Sequence, residues 1–307
     1  MSEAIPQTEK SVGVEVTTSA FKSVCLDANG NLINSYSATM IRGDDTAPQL
    51  VAFIRELLVK YGDFDRIGIT IPGLINRETR RVAFSASFPE HQDVDLLDEL
   101  EKITKLKILI ENDANAAAYG EYMLGAGRGS RSMFYITLGA GVGGAFVFDG
   151  QVWHGTNGFA GEFGYLAIDE DGTRLESVAS ATNIIRRTRS RFHQDSTSSL
   201  GKLPESEITV ADVVREAREG DDFAQLMLER TGKYVGTAIA GVINLLNIEK
   251  VVIGGEVMQA EDIVLEAIIE RARQLSFKPS FEATQILAGR LGGSAAAAGA
   301  ALLSRSL

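Results

Sequence analysis

The chain is poor in the residues that build disulfide frameworks and metal cages. It has one cysteine, Cys25, and three histidines in 307 residues. One cysteine excludes an internal disulfide network and fits a reducing compartment. His91, His154 and His193 show no metal-ligand spacing, and no role is read for them. Positive charge is in deficit: 30 Lys and Arg face 41 Asp and Glu, a net −11. Apart from a modest cluster at Arg186, Arg187, Arg189 and Arg191, the basic residues are interspersed with acids. A nucleic-acid partner held through phosphate contacts is therefore not expected. No apolar run reaches membrane-spanning length; Ala295 to Leu303 is too short and too rich in alanine. The polar residues Met1 to Lys10 lack the apolar core of a signal peptide and read as a loose tail. The expectation is a cytoplasmic protein without a membrane partner. What remains is an ordinary globular composition, 45% hydrophobic and 23% charged, long enough for two domains.

The informative stretch is residues 108–164. Ile108-Leu109-Ile110 reads as a buried strand, followed by Glu111-Asn112-Asp113 and an alanine-rich segment that favours helix. An Asp between strand end and helix start is either a plain N-cap or a carboxylate displayed at the carboxyl end of a sheet, where open α/β sheets bind ligands. Tyr135 to Ala145 is a strand running into Gly139, Gly141, Gly143 and Gly144 and out into another strand. Such a loop lets backbone N–H groups approach an anion without Cβ atoms in the way; glycine-rich hairpins also occur without ligands. A carboxylate and an anion loop together suggest phosphoryl transfer from a nucleotide to a hydroxyl.

Elsewhere, strands are predicted at 12–16, 21–26, 32–37, 66–71, 133–138, 145–148, 251–253 and 284–288, with a hairpin around Arg81 to Phe84. Apolar periodicity predicts helices at 48–61, 95–105, 176–192, 210–218, 222–247 and 261–274, and from Gly292-Gly293-Ser294 to the C-terminus. Residues 193–207 read as a mobile surface loop. Asp27 to Gly30 and Asp149-Gly150 have turn composition. Three strands, with a small-residue loop after the first and an Asp/Gly turn after the second, occur at 11–37 and again from 133, which suggests an internal duplication. Each half would carry one anion loop facing a cleft.

These pieces, in this order, resemble the ROK family of sugar kinases and sugar-responsive repressors. The resemblance covers Val12 to Leu303 and is strongest from Glu111 to Asn183. Asn112 to Ala117 resembles the family's catalytic motif, Thr137 to Gly144 its second phosphate loop, and Ala160 to Gly164 its sugar-site motif. Leu175-Glu176-Ser177 resembles the segment that ends the sugar site, and Ile253-Gly254-Gly255 the adenosine-side strand.

The resemblance implies an α/β, actin-like ATPase fold (ribonuclease H-like, duplicated) with two domains around a cleft. Residues 1–112 would form the N-terminal domain, with helix 294–307 packing back on it, and 113–293 the C-terminal domain. It implies an ATP-dependent sugar kinase, glucokinase-like, using ATP and Mg²⁺, acting on a small-molecule sugar and forming a homodimer. Asp113 would be the general base; Gly73, Asn112, Glu162, Tyr165 and Glu176 would bind sugar. Thr137, Gly139, Gly141, Gly143, Gly144, Gly254 and Gly255 would hold the nucleotide, with Glu15, Thr17 and Thr18 on the first phosphate loop. Each has a plainer alternative: a strand-to-helix turn at Gly254 and Gly255, a simple turn at Gly73, a helix-start acid at Glu176, core packing at Tyr165, an edge-strand acid at Glu15.

Three departures stand out. Where the family's kinases carry Asp-x-Gly-Gly-Thr-Lys, this chain has Glu15-Val16-Thr17-Thr18-Ser19-Ala20. The β-branched Thr17 and Thr18 would resist a positive φ and crowd a phosphate, unless their hydroxyls or Lys22 compensate. Tyr165 replaces the histidine of Glu-x-Gly-His. Asp169 to Leu175 contains no cysteine, so no structural zinc is expected there. These departures keep a second reading in play: a sugar-binding sensor or regulator with impaired catalysis and no DNA-binding domain, since few residues precede the first strand.

Overall fold

The computed structural model describes residues 10–41, 45–89, 96–191 and 198–307. The N-terminal tail through Glu9, His91, His193 and residues 193–197 of the expected loop lie outside them. The chain divides into two compact bodies. One comprises Met1–Leu124, Gln151–Ala160 and Ser294–Leu307; the other Gly125–Gly150 and Gly161–Gly293.

In the first body, strands β1 (Ser11–Val16), β2 (Ala20–Leu26), β3 (Leu32–Thr39), β4 (Arg66–Ile71) and β7 (Lys107–Asn112) form one sheet in the order β3-β2-β1-β4-β7. β1, β2 and β3 are an antiparallel meander; β1, β4 and β7 run parallel. β5 (Leu74–Asn76) and β6 (Arg81–Phe84) form the expected hairpin. Helix α1 (Thr46–Tyr61) starts at the N-cap Asp45, whose side chain accepts from the Ala47 N–H, and buries Leu50, Phe53, Ile54, Leu57 and Tyr61. α2 (Leu96–Thr104) and α3 (Asp113–Leu124) follow.

The C-terminal helix α10 (Ala295–Leu303) lies against this sheet. Gly13 and Gly68 are neighbours in register on β1 and β4, and a Cβ on either would collide with the α10 backbone at Ala297 or Ala300. Gly299 and Gly120 allow an equally close approach of α10 to α3. This backbone-to-backbone packing is why α3 belongs to the first body. The sequence division after residue 112 is corrected accordingly: 113–124 and 151–160 lie in the first body. Residues 151–160 include β10 (Gln151–Trp153), and Gly158 lies so close to the Ile75 carbonyl that a Cβ would collide with it.

The second body repeats the plan. β8 (Ser132–Leu138), β9 (Val142–Phe148), β11 (Lys250–Gly254) and β12 (Gln285–Ala288) run in the order β9-β8-β11-β12, as β2-β1-β4-β7 do in the first. β8 and β9 are antiparallel; β8, β11 and β12 are parallel. Asp149 and Gly150, both at positive φ, make the turn after β9. The core joins Phe134, Ile136 and Leu138 of β8 to the apolar faces of α6 (Val210–Arg218), α7 (Asp222–Leu246) and α8 (Glu261–Leu275).

The predicted helix 176–192 is two helices, α4 (Glu176–Ala179) and α5 (Ala181–Arg189). Ser180 breaks it with ψ 153° and caps α5 by accepting from the Asn183 N–H. The described part of the expected loop is built of short 3₁₀ turns, with the Ser198 and Ser199 hydroxyls on the Asp221 carboxylate. α9 (Lys278–Glu282) is an addition to the predicted elements.

Candidate functional site

In the first body, β7 delivers Glu111 and Asn112 to the sheet's carboxyl end, and Asp113 is the first residue of α3. Asn112 Nδ2 donates to the Gly73 carbonyl at 2.8 Å, and Asn112 Oδ1 accepts from the Asn115 N–H at 3.0 Å. Gly73 has φ 146° and sits where a Cβ would strike the Phe84 carbonyl. Gly73, Asn112 and Asp113 are thus brought together. Asp113 Oδ1 accepts from the Ala114 N–H at 3.0 Å; the cap bond is made by Asn112, so Asp113 is the first helical residue and not the N-cap, and its carboxylate stands at the strand-to-helix junction.

Glu15 points to the same sheet face as Lys22, Thr70 and Glu111, which stand in register with one another across β2, β1, β4 and β7. Its Oε2 is buried without a hydrogen-bond partner, and Lys22 Nζ is 3.4 Å away. Burial pushes the Glu15 carboxyl up, against the opposing pull of Lys22. Oε2 is thus ion-paired with Lys22; a carboxylate oxygen is also the hard donor that Mg²⁺ or its bound water takes, so Glu15 suits such an ion by its chemistry, with Lys22 as the competing cation. Among the described residues no group of three or more His, Cys, Asp or Glu is arranged to hold a metal.

The Thr17–Ala20 loop is closed on itself. Thr17 N–H donates to the Ala20 carbonyl, and Thr17 Oγ1 accepts from the N–H groups of Ser19 and Ala20. None of these residues is at positive φ. The Thr17 hydroxyl is therefore engaged in its own turn, while Thr18 is exposed.

In the second body, Thr137 is the next-to-last residue of β8, and the loop proper is Gly139-Ala140-Gly141. Its carbonyls are held from behind: Ala181 N–H donates to Gly139 O at 2.8 Å and Thr182 Oγ1 to Ala140 O at 3.1 Å. Glu176 Oε2 accepts from the Val142 N–H at 2.9 Å. Space beside Gly139 is open. Among the described residues, the N–H groups of Ala140 and Gly141 have no protein partner, so this loop fits an anion. Gly143 and Gly144 lie inside β9, paired with Thr137 and Ile136. A Cβ on Gly144 would press on Phe134 and Phe163, so its small size serves packing. Gly254 ends β11 and Gly255 follows it; the Tyr135 hydroxyl occupies the place of a Gly254 Cβ, and Gly255 has φ 96°. Both glycines meet a demand of the strand end itself.

Glu162 lies just before a 3₁₀ turn, Phe163–Tyr165. Although Glu162 faces solvent, desolvation by the surrounding chain and then the charge of Glu176 push its carboxyl above the ordinary value. Tyr165 is 57% exposed, which removes the core-packing alternative, and the Arg174 guanidinium sits 4.4 Å from its ring centroid.

The sequence reading gave no role to Glu111, Arg77 or His154, which the structure joins. His154 Nε2 and Arg77 Nη1 both contact Glu111 Oε2, at 2.9 and 3.1 Å. No spacing in the sequence signals a contact between residues 111 and 154; it arises only because 151–160 folds into the first body.

Two bodies of the same strand order, one with a carboxylate at a strand-to-helix junction and the other with an anion-fitting glycine loop, define an α/β protein of the actin-like ATPase fold. The chain belongs to the ROK family, whose profile matches residues 11–306. It is 35% identical over 276 residues to a glucokinase of Halalkalibacterium halodurans, covering 84% of this chain and 83% of that protein. The solved structure of a ROK family glucokinase from Streptomyces griseus, in complex with glucose and AMPPNP, matches with a TM-score of 0.85 at 27% identity. That match covers 97% of this chain and 100% of the other. A ROK family transcriptional regulator, homologous to the Mlc protein of Escherichia coli, matches with a TM-score of 0.85 at 28% identity, over 98% of this chain and 79% of that one.

Proposed function

We propose that this protein is an ATP-dependent sugar kinase, phosphorylating a hydroxyl of a hexose or N-acetylhexosamine. The observation that carries this reading is the position of Asp113, first in α3 at the carboxyl end of a parallel strand, beside an Asn112 tied to Gly73. Asp113 would take the proton of the sugar hydroxyl as its oxygen attacks the γ-phosphorus. The new O–P bond forms as the bond between the γ-phosphorus and the β–γ bridging oxygen breaks, and ADP leaves. A general base of this kind contributes about 10²–10⁴-fold, with positioning and charge stabilisation adding to it.

Asn112 would orient the sugar, and the resemblance assigns Glu162, Tyr165 and Glu176 to sugar hydroxyls as well. The free N–H groups of Ala140 and Gly141 would bind the ATP phosphates, with Thr137 and Gly139 beside them. Gly254 and Gly255 are kept on the adenosine side by resemblance. Glu15 would hold Mg²⁺ through water, and Mg²⁺ supplies charge neutralisation between the phosphates. A cytoplasmic homodimer is part of the same proposal.

The self-closed Thr17–Ala20 loop favours a second reading, a sugar-binding regulator with impaired catalysis. ADP release from ATP and Mg²⁺, measured across a panel of hexoses and N-acetylhexosamines, separates the two. Sugar-dependent release supports the kinase and names its substrate. Calorimetric sugar binding without release replaces it with the regulator.

A further inference from the structure

Glu111 is 1% exposed. A carboxylate taken so far from water is costly unless its lone pairs are filled. Here four donors fill them. Oε1 accepts from the Asn112 N–H at 2.9 Å and from Asn115 Nδ2 at 3.1 Å. Oε2 accepts from His154 Nε2 at 2.9 Å and Arg77 Nη1 at 3.1 Å. Burial alone would push this carboxyl up; the bonds from His154, Asn115 and Asn112 outweigh it and hold it below the ordinary value. An ionised carboxylate only accepts, so the 2.9 Å contact assigns the proton to His154 Nε2; Arg77 Nη1, which also lies 3.2 Å from Nε2, then donates to Glu111 Oε2 and not to the ring.

The two oxygens have different tasks. Oε1 grips the backbone of Asn112 and the side chain of Asn115, on either side of Asp113. Oε2 fixes the rotation of the carboxylate that does the gripping. Of its two donors, the Arg77 side chain is 51% exposed and shared with water, whereas that of His154 is 17% exposed. His154 is itself seated: its carbonyl accepts from the Ala160 N–H at 3.2 Å, and Gly155 turns the chain at φ 66°.

We propose that His154 is a positioning residue for Asp113, acting through Glu111: its Nε2–H locks the carboxylate that orients the Asn112-Asp113 junction. The proposal rests on the reading of Asp113 as general base. It gives residues 151–160, otherwise a short strand and turn, a part in catalysis.

The test compares wild type, His154→Ala and His154→Gln in the full-length protein. The Ala variant is expected to lose about tenfold or more in kcat, a lost hydrogen bond to a charged group. KM for the sugar should change less than threefold, on the order of thermal energy, and the melting temperature should fall by only about a few degrees, the cost of one donor lost to a buried carboxylate. Gln, whose amide can still donate, should restore most of kcat. Full kcat in the Ala variant would overturn the proposal, as would an equal loss in the Gln variant or a loss that tracks melting temperature. If wild type releases no ADP with any sugar, the kinase reading itself fails, and the clamp is decided by ¹⁵N NMR of the imidazole. An Nε2 proton on His154 whose signal shifts on Glu111→Gln supports the clamp; an Nδ1–H tautomer contradicts it.

Discussion

The two loops that follow the first strand of each body occupy the same place in the topology and are held in opposite ways. In the first body, Thr17 turns inward, and its hydroxyl caps the N–H groups of Ser19 and Ala20. In the second, Glu176, Ala181 and Thr182 secure the loop from behind and leave the N–H groups of Ala140 and Gly141 free among the described residues. A phosphate needs unengaged N–H donors with no side chain in the way. Composition alone points the same way, glycine in one loop and threonine in the other. The structure adds that the difference lies in where the hydrogen bonds already go.

Gly141→Ala is the sharpest way to break this contrast. Its Cβ would stand 2.8 Å from Glu176 Oε2, so the carboxylate must move and release the Val142 N–H. Losing a charge-assisted bond worth roughly 1.5–3 kcal/mol should weaken nucleotide binding about tenfold or more, read by calorimetry with a non-hydrolysable ATP analogue. Unchanged affinity would show that Glu176 does not hold the loop in its binding shape.

The reverse change is smaller. Replacing Thr17 and Thr18 together by Gly removes the internal cap and the β-branched side chains. Nucleotide affinity should rise about threefold, the net worth of the freed Ser19 and Ala20 N–H groups at roughly 0.5–1 kcal/mol in all. A gain would make the first loop an obstructed phosphate site; a loss would mean that the closed turn is its working form.

The smallest effect expected is in pH dependence. Glu162 is raised by desolvation and by the charge of Glu176. If its ionised form binds sugar, affinity should fall as pH drops through that raised value, sooner than for an ordinary glutamate. Glu176→Gln removes one negative charge, so the midpoint should move to lower pH. A titration of sugar affinity whose midpoint stays in place, or moves upward, would separate Glu162 from Glu176.

Much of this was readable from residue order. The Asp149-Gly150 turn, the apolar period of α1 and the strand before Asn112-Asp113 are local signals, and the structure places each where its residues indicate. Ser180 shows the limit: its helix-breaking ψ comes from its cap to Asn183, which apolar periodicity does not register. Gly144 and Gly254 show another. A glycine kept for ligand approach and one kept because Phe134 or Tyr135 fills the space of its Cβ look alike in sequence. The Glu111–His154 contact was illegible because it joins segments 43 residues apart. The body boundary was misjudged for a similar reason: the glycine packing of α10 on α3 is a tertiary fact.

The most direct measurement is transfer of the γ-phosphoryl group of labelled ATP to the sugar in a single turnover, comparing wild type with Asp113→Asn at saturating sugar. The account predicts that the variant still binds sugar but transfers at least about a hundredfold more slowly. Equal transfer rates would remove Asp113 from the chemistry and leave it an acid in the first turn of α3.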